Sequence, residues 1–387
     1  MRACMLAYTF YESDNRSRRY GEALIKRGDQ VDAICLAREG QDHFDVIQGV
    51  RVFRIQKRIV DETGPVSYLR KLLLFFFRSM WLLTLEHLRE PYDIIHVHSV
   101  PDFEVFATLI PRLMGARVIL DIHDITPEFY ASKFKVHERS LVFHALVQIE
   151  RLSIAYSSHV ILANDLWFEK IVRRSGRLDK CTAITNYPDL SIFWRRPRPT
   201  SSNGDFVMCY PGSLNSHQGL NLAIEAVSLL RDRAPNLKLL IVGSGQDWDK
   251  LEAMISELHL EDRISMRRPV PLEEVAEIMA TVDLGVVPKF NDSFGGEAFS
   301  TKIMEFMAMN IPVVVSRTRI DEHYFSDDIV QFFMAGSAED LANKVLDLMQ
   351  DPSRRIELCE HSTDFVVQNS WEAKKHIYLD LVDRLMA

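Results

Sequence analysis

Two doubly wound α/β domains, each a parallel sheet wrapped by helices, are what this sequence predicts, on three observations. The chain has 387 residues, whereas one domain takes roughly 100–200. Short β-branched apolar runs alternate with helix-length amphipathic stretches, the pattern of βαβ units. The alternation breaks once, at the Pro-, Ser- and Arg-rich linker "RRPRPTSSNGD" (195–205), and then restarts. The division expected is one doubly wound domain over 1–195, a second over 196–365, and a last helix over 366–387 packing back toward the first.

In chain order, the first domain's strands are "CMLAY", "VDAICLA", "VRVFRI", "IIHVHS", "RVILDIHD", "HVILAND" and "CTAITN". The second domain's are "FVMCYPG", "LKLLIVG", "RISMRR", "LGVVPK" and "IPVVVS". Ligands of such sheets bind beyond the carboxyl ends of the strands. With two domains facing each other, the site is expected in the cleft between them.

Composition narrows the class. Nearly half the residues are apolar and a quarter are charged, as in soluble globular proteins. Five scattered cysteines without C-x-x-C spacing argue against a disulfide framework or a zinc site, and for a reducing compartment. The apolar run before Glu12 and Asp14 is too short for a secretory signal. No stretch approaches the ~18 apolar residues of a membrane span, so a cytoplasmic protein is expected. The net charge of −8 is uneven: Lys+Arg and Asp+Glu number 29 and 24 over 1–200, then 17 and 30 over the remainder. The mildly basic first half is too weak a field for nucleic acid, and no basic-aromatic module accompanies it.

The chemistry concentrates in "GGEAFSTKIMEFMAMNIPVV" (295–314), the loop and helix after "LGVVPK". Ser300 or Thr301 can cap a helix whose apolar Ile303, Phe306 and Met307 follow helical spacing. Asn310 suits a left-handed position after its end, and Pro312 stops it. Lys302 then falls in the first turn, where a cation opposes the helix dipole. A bound anion reverses that argument, because backbone N–H groups and the lysine converge on it. Gly295 and Gly296 let the backbone approach a ligand closely. Glu305, one turn along the same face, can reach a pair of sugar hydroxyls, and Glu297 a second polyol. Phosphate, ribose and another sugar together describe a nucleotide sugar. A solvated Lys302–Glu305 pair on an exposed helix face is the plain alternative.

The string E-A-F-S-T-K-I-M-E-F-M-A-M-N-I-P-V-V resembles the E-x7-E region of family 4 (group 1) glycosyltransferases, in the variant carrying Ser/Thr-Lys before the second glutamate. That family has the GT-B fold, two Rossmann-like domains across a cleft. The resemblance runs from the first strand through "YPGSLNSHQGLNLAIEA" (210–226) to the C-terminal helix around Trp371. It implies that Glu305 binds the ribose hydroxyls and Glu297 the donor-sugar hydroxyls. The diphosphate would lie on Lys302, Gly296 and the backbone of Phe299, Ser300 and Thr301, with Gly212 in the same donor site. Ser213 and Gln218 stand where the family usually places an Arg and a Lys, which leaves Lys302 as the strong cation on that side, helped by His217. Gly243 and Arg268 are expected near the base. In the first domain "ESDNRSRRYGEAL" replaces the family's Gly-Gly pair, with Asn15 and Arg16 serving either the phosphate or the acceptor. His123 resembles the family's active-site histidine, a satisfied structural histidine being the alternative. His98 and Asp102 are assigned to the acceptor pocket, and Glu128 as an acceptor-side carboxylate.

"QDWDK" holds a D-x-D string but opens a helix, so Asp247 and Asp249 are expected at its N-terminus rather than on a metal. Neither a metal nor a cofactor is expected. "VSYLRKLLLFFFRSMWLLTLEHL" (66–88) sets Arg70, Lys71 and Arg78 beside a Leu/Phe run with Trp81. That predicts a peripheral contact with anionic lipid, against the alternative of a buried helix. The function implied is retaining, metal-independent transfer of a hexose or N-acetylhexosamine from an NDP-sugar, UDP favoured. The acceptor would be a glycan or lipid-linked sugar in bacterial surface polysaccharide biosynthesis. A GT-B sugar-nucleotide epimerase and a non-catalytic partner subunit are the rivals.

Overall fold

The computed structural model describes residues 1–58, 65–134, 136–197 and 204–387, so most of the 195–205 linker lies outside the described residues. The chain divides into two compact units, Met1–Asn186 with Lys375–Ala387, and Tyr187–Lys374. The first holds β1 (Arg2–Ala7), β2 (Gln30–Ala37), β3 (Phe44–Ile47), β4 (Val50–Lys57), β5 (Ile94–His98), β6 (Arg117–Ile122), β7 (His159–Leu162) and β8 (Cys181–Ala183). Their sheet order is β3-β4-β2-β1-β5-β6-β7-β8. The second holds β9 (Phe206–Pro211), β10 (Leu237–Val242), β11 (Ile264–Arg267), β12 (Leu284–Val287), β13 (Val313–Ser316) and β14 (Gln331–Phe333), in the order β11-β10-β9-β12-β13-β14.

Each sheet grows outward on one side of its first strand and then on the other, so β1 and β9 each mark a point where strand order reverses. Loops at the carboxyl ends beside such a point splay apart and leave a crevice for a ligand. The parallel strands are mostly apolar, and β5, β7, β12 and β13 are buried at every residue, as sheets covered on both faces require.

Two strands escape the sequence reading. β3 is mostly exposed and pairs antiparallel with β4, correcting the expectation of purely parallel sheets. β14 is only three residues, too short for any periodicity.

Helix α1 (Asn15–Arg27) follows β1 and is capped by Asp14, whose carboxylate accepts from the Arg16 and Ser17 N–H groups. In α2 (Pro65–Arg89), Tyr68, Leu72, Phe75, Ser79, Leu83 and Glu86 form a buried stripe at helical spacing. Its opposite face carries Leu69, Leu73, Phe77, Trp81 and Leu88, all exposed. The neighbouring α3 (Leu109–Leu113) exposes Leu109, Ile110 and Leu113. The final helix, Trp371–Met386, enters the first unit at Lys375, where Tyr378 packs on Tyr20 with ring centroids 4.2 Å apart.

Candidate functional site

In the second unit the candidate residues sit on the loops after β9, β10 and β12, and glycines bring those loops into backbone contact. A Cβ on Gly243 would run into the Gly212 carbonyl, and one on Gly219 into the Pro288 carbonyl. Gly212 itself has φ +147°, and a side chain there would meet Lys302 Cε at 2.9 Å. The stem of Lys302 therefore lies directly on the Gly212 backbone.

Helix Thr301–Ala308 has Ser300 as its N-cap residue, but the Ser300 side chain makes no capping hydrogen bond. Instead Lys302 Nζ donates to Ser300 Oγ at 3.3 Å and lies 4.9 Å from the Tyr210 ring centroid. Among the described residues Lys302 makes no ion pair. Desolvation first, then the nearby Lys289, push its pKa down to about 8, while Glu305 and Asp321 pull it upward. Asn310 takes the left-handed position foreseen for it, with φ 56°. Glu305 lies one turn beyond Lys302, half-buried.

The stretch after β9 is braced rather than cationic. Tyr210 Oη lies 2.9 Å from both the Ser213 carbonyl and Gln218 Oε1, its single O–H serving one of them, and Gln218 Nε2 lies 3.0 Å from His217 Nε2. Burial lowers the His217 pKa, which favours the neutral imidazole. Glu297 is buried and paired with Arg319 at 2.9 Å. Phe299 packs edge-on against Tyr324, with centroids 4.9 Å apart. At the end of β11, exposed Arg268 stacks on Trp248 at 3.9 Å. Asp247 is the N-cap residue of helix Trp248–Glu257 and Asp249 lies in its first turn, as the sequence suggests.

In the first unit, four of the expected residues converge at the carboxyl ends of β1, β5 and β6. Arg16 is buried and grips Asp121 with two hydrogen bonds of 2.8 Å, then donates to Asn186 at 2.9 Å. A guanidinium committed in this way is a structural cation, unlike the phosphate or acceptor ligand the sequence suggested. Asp121 Oδ2 also lies 3.2 Å from His123 Nε2 and 3.3 Å from His98 Nδ1. His98 Nδ1 and His123 Nε2 are 3.0 Å apart. Asn15 begins α1 beside this cluster and is half-buried. His96 stacks on His98 at 4.2 Å and meets Tyr378 Oη at 3.2 Å.

Asp102 and Glu128 belong to a different network. Asp102 accepts from Thr126 Oγ1 at 2.9 Å, and burial raises its pKa to about 6. Glu128 is buried and paired with Arg174, which also holds Glu150 at 2.9 Å. His96, His98 and Asp121 bring ligand-type atoms within 4.8 Å of one another, but Arg16 already takes both Asp121 oxygens.

Sequence reasoning missed Asp121, His96, Tyr378 and Lys289. The period-two H-V-H in "IIHVHS" signalled that His96 and His98 share one face of β5. Nothing local to Tyr378 signals its contact with His96, and nothing local to Asp121 signals its grip on Arg16.

Residues 13–186 match the family model "Glycosyl transferase 4-like domain", and residues 194–364 match "Glycosyl transferases group 1". The chain belongs to the group 1 glycosyltransferases. A D-inositol 3-phosphate glycosyltransferase of Corynebacterium aurimucosum is 29% identical to it over 185 residues, 45% of this chain and 43% of that protein. The match thus spans less than half of that curated relative. Among solved structures, Anabaena HepE in complex with UDP and glucose superposes with a TM-score of 0.73 at 16% identity, covering 98% of this chain and 99% of that one. WaaG, a glycosyltransferase involved in lipopolysaccharide biosynthesis, gives a TM-score of 0.70 at 15% identity, with 95% of each chain covered. This glycosyltransferase has the GT-B fold.

Proposed function

We propose that the protein transfers a hexose or N-acetylhexosamine from an NDP-sugar to a glycan or lipid-linked acceptor, with retention and without an essential metal. The observation that carries the reading is Lys302: a desolvated lysine with no ion pair among the described residues, at a helix N-terminus, against the Gly212 backbone. Such a cation is stabilised by an anion, and the open N–H groups of the helix favour the same ligand. Charge grows on the departing diphosphate in the transition state. A fixed ammonium and fixed N–H dipoles then stabilise that state more than the ground state, doing without a metal what a divalent ion does elsewhere.

Glu305 would take the ribose and Glu297 the donor sugar, with His123 beside the reacting centre. UDP is favoured as the carrier because HepE binds UDP and glucose. WaaG's role in lipopolysaccharide biosynthesis supports a surface polysaccharide as the product. Five free, buried cysteines fit a reducing cytoplasm.

The test is binding and slow hydrolysis of UDP-, GDP- and ADP-sugars in EDTA, for wild type and Glu305→Ala. One preferred donor, cleaved without metal and lost in the variant, is expected. Binding of none would move the weight to a non-catalytic partner subunit, and release of an isomerised sugar nucleotide to an epimerase.

A lipid-linked acceptor also gives the outer face of α2 a purpose. No described helix is long and apolar enough to cross a membrane. Yet α2 is apolar on both sides, with Phe77 58% and Trp81 69% exposed, and exposed Arg70 and Arg78 and half-buried Lys71 lie on the same helix. We propose that this face lies on anionic lipid. Phe77→Glu/Trp81→Glu is expected to lower sedimentation with anionic vesicles at least ~30-fold, from the loss of two buried aromatic groups. Equal binding by the variant would remove the proposal.

A further inference from the structure

We infer that Lys289 and Asp321 form a buried clamp that sets the position of Glu297, which makes Lys289 a positioning residue for the donor sugar. This rests on the reading of Glu297 as a donor-sugar ligand.

Lys289 lies just beyond β12 and is 1% exposed. Its ammonium donates to the Ala298 carbonyl at 2.8 Å and contacts Asp321 Oδ2 and Oδ1 at 3.0 and 3.2 Å. An ammonium has three N–H donors, so these contacts saturate it. Asp321 is fully buried and also accepts from Thr318 Oγ1 at 2.6 Å. One residue earlier, the Ile320 N–H donates to the Gly296 carbonyl at 2.9 Å.

The carbonyls on either side of Glu297, at 296 and 298, are therefore both pinned. One is held by the start of helix Arg319–Tyr324, the other by Lys289, which is itself anchored to that helix through Asp321. Within the loop the Glu297 and Ala298 N–H groups already bond the Phe294 carbonyl in a turn, and the two outside bonds on the flanking carbonyls fix the direction of that turn against helix Arg319–Tyr324. A buried ion pair is a poor source of stability, since apolar residues of similar volume fill such a site as well or better. What this pair supplies that they cannot is a donor aimed at one carbonyl.

The variant for the test is Lys289→Met/Asp321→Asn, which leaves no charge unpaired and keeps an acceptor for Thr318. With the NDP-sugar that wild type cleaves, kcat is expected to fall about 10²-fold, the effect of an ångström-scale misplacement. Affinity for the free nucleoside diphosphate, held by Lys302 and Glu305, should stay within about twofold. Lys289→Gln/Asp321→Asn, which retains an N–H donor and likewise leaves no charge unpaired, should recover part of the lost kcat.

Unchanged kcat in Lys289→Met/Asp321→Asn would show the pair to be structural only. Equal losses in nucleotide and sugar-nucleotide binding would show general loosening, and would equally overturn the inference. If Lys289→Met/Asp321→Asn does not fold, the kinetics of Lys289→Gln/Asp321→Asn decide by the same split. Failure of the donor reading itself would appear earlier, as wild type that cleaves no sugar nucleotide.

Discussion

Lys302→Met is expected to lower turnover about 10²- to 10³-fold, the usual cost of removing one fixed donor from a developing oxyanion. Methionine keeps most of the stem that packs on Gly212 and Tyr210, so the fold should survive. The pH dependence separates a charge effect from a packing effect. In the free protein Lys302 loses its proton near pH 8, and a bound diphosphate raises that value because the charged form gains a partner. Donor affinity is then full below pH 8 and falls as pH rises through it, by up to about tenfold per unit. The variant should bind weakly at every pH, with a flat profile.

Stability runs the other way. The folded-state pKa of about 8 lies below the ordinary 10.5, so between these values the unfolded chain holds a proton that the folded chain does not. The donor-free second unit should therefore gain stability as pH rises across that window, and lose the gain in Lys302→Met. A wild-type donor affinity that does not change between pH 7 and 9.5 would remove Lys302 from the diphosphate site.

Much of this was legible from the residues. Apolar and β-branched runs between amphipathic stretches marked twelve of the fourteen described strands, because a parallel sheet covered on both faces buries most of its side chains. Asn310 and Pro312 marked the end of the helix that carries Lys302, since both act through local backbone geometry. The partnerships of charged residues were not legible. Arg16, in the first turn of α1, reads as available to a ligand, but its partner Asp121 is 105 residues away. Lys289 read as the last residue of a strand, and its partner Asp321 comes only after the next strand. Composition and spacing say that a charge is present; only the folded chain says whether another charge has already taken it. Glu128, read as an acceptor-side carboxylate, is buried on Arg174.

The largest stability effect is expected at Asp121. Burial alone would raise the pKa of this carboxyl, but Arg16 and then His123 outweigh it and hold it well below the ordinary 3.8. Its contribution is present above the unfolded-state value and is lost only as pH falls through the folded one, so Asp121 stays ionised through mild acid. Asp121→Asn would leave the Arg16 guanidinium buried without a counter-charge, at a cost of about 3–5 kcal/mol. Arg16→Met/Asp121→Asn should cost less than Asp121→Asn alone, because it buries no unpaired charge. A double variant no more stable than the single would mean that Arg16 reaches solvent or another partner.

Acid should nevertheless weaken the first unit earlier, through the histidines behind Asp121. Burial first, then the neighbouring His98, push the His96 pKa down to about 3 from 6.5. Between these values the unfolded chain takes up a proton that the folded chain refuses, so stability falls by up to about 1.4 kcal/mol for each pH unit below 6.5. His98 shifts in the same direction, also through burial. His96→Phe keeps a ring stacked on His98 and removes one titrating group, so denaturant midpoints between pH 6.5 and 4 should fall less steeply than in wild type. Equal slopes would mean that His96 is already protonated in the folded chain. The ion Asp121 would then be shared among Arg16 and the histidines, rather than held for Arg16 alone.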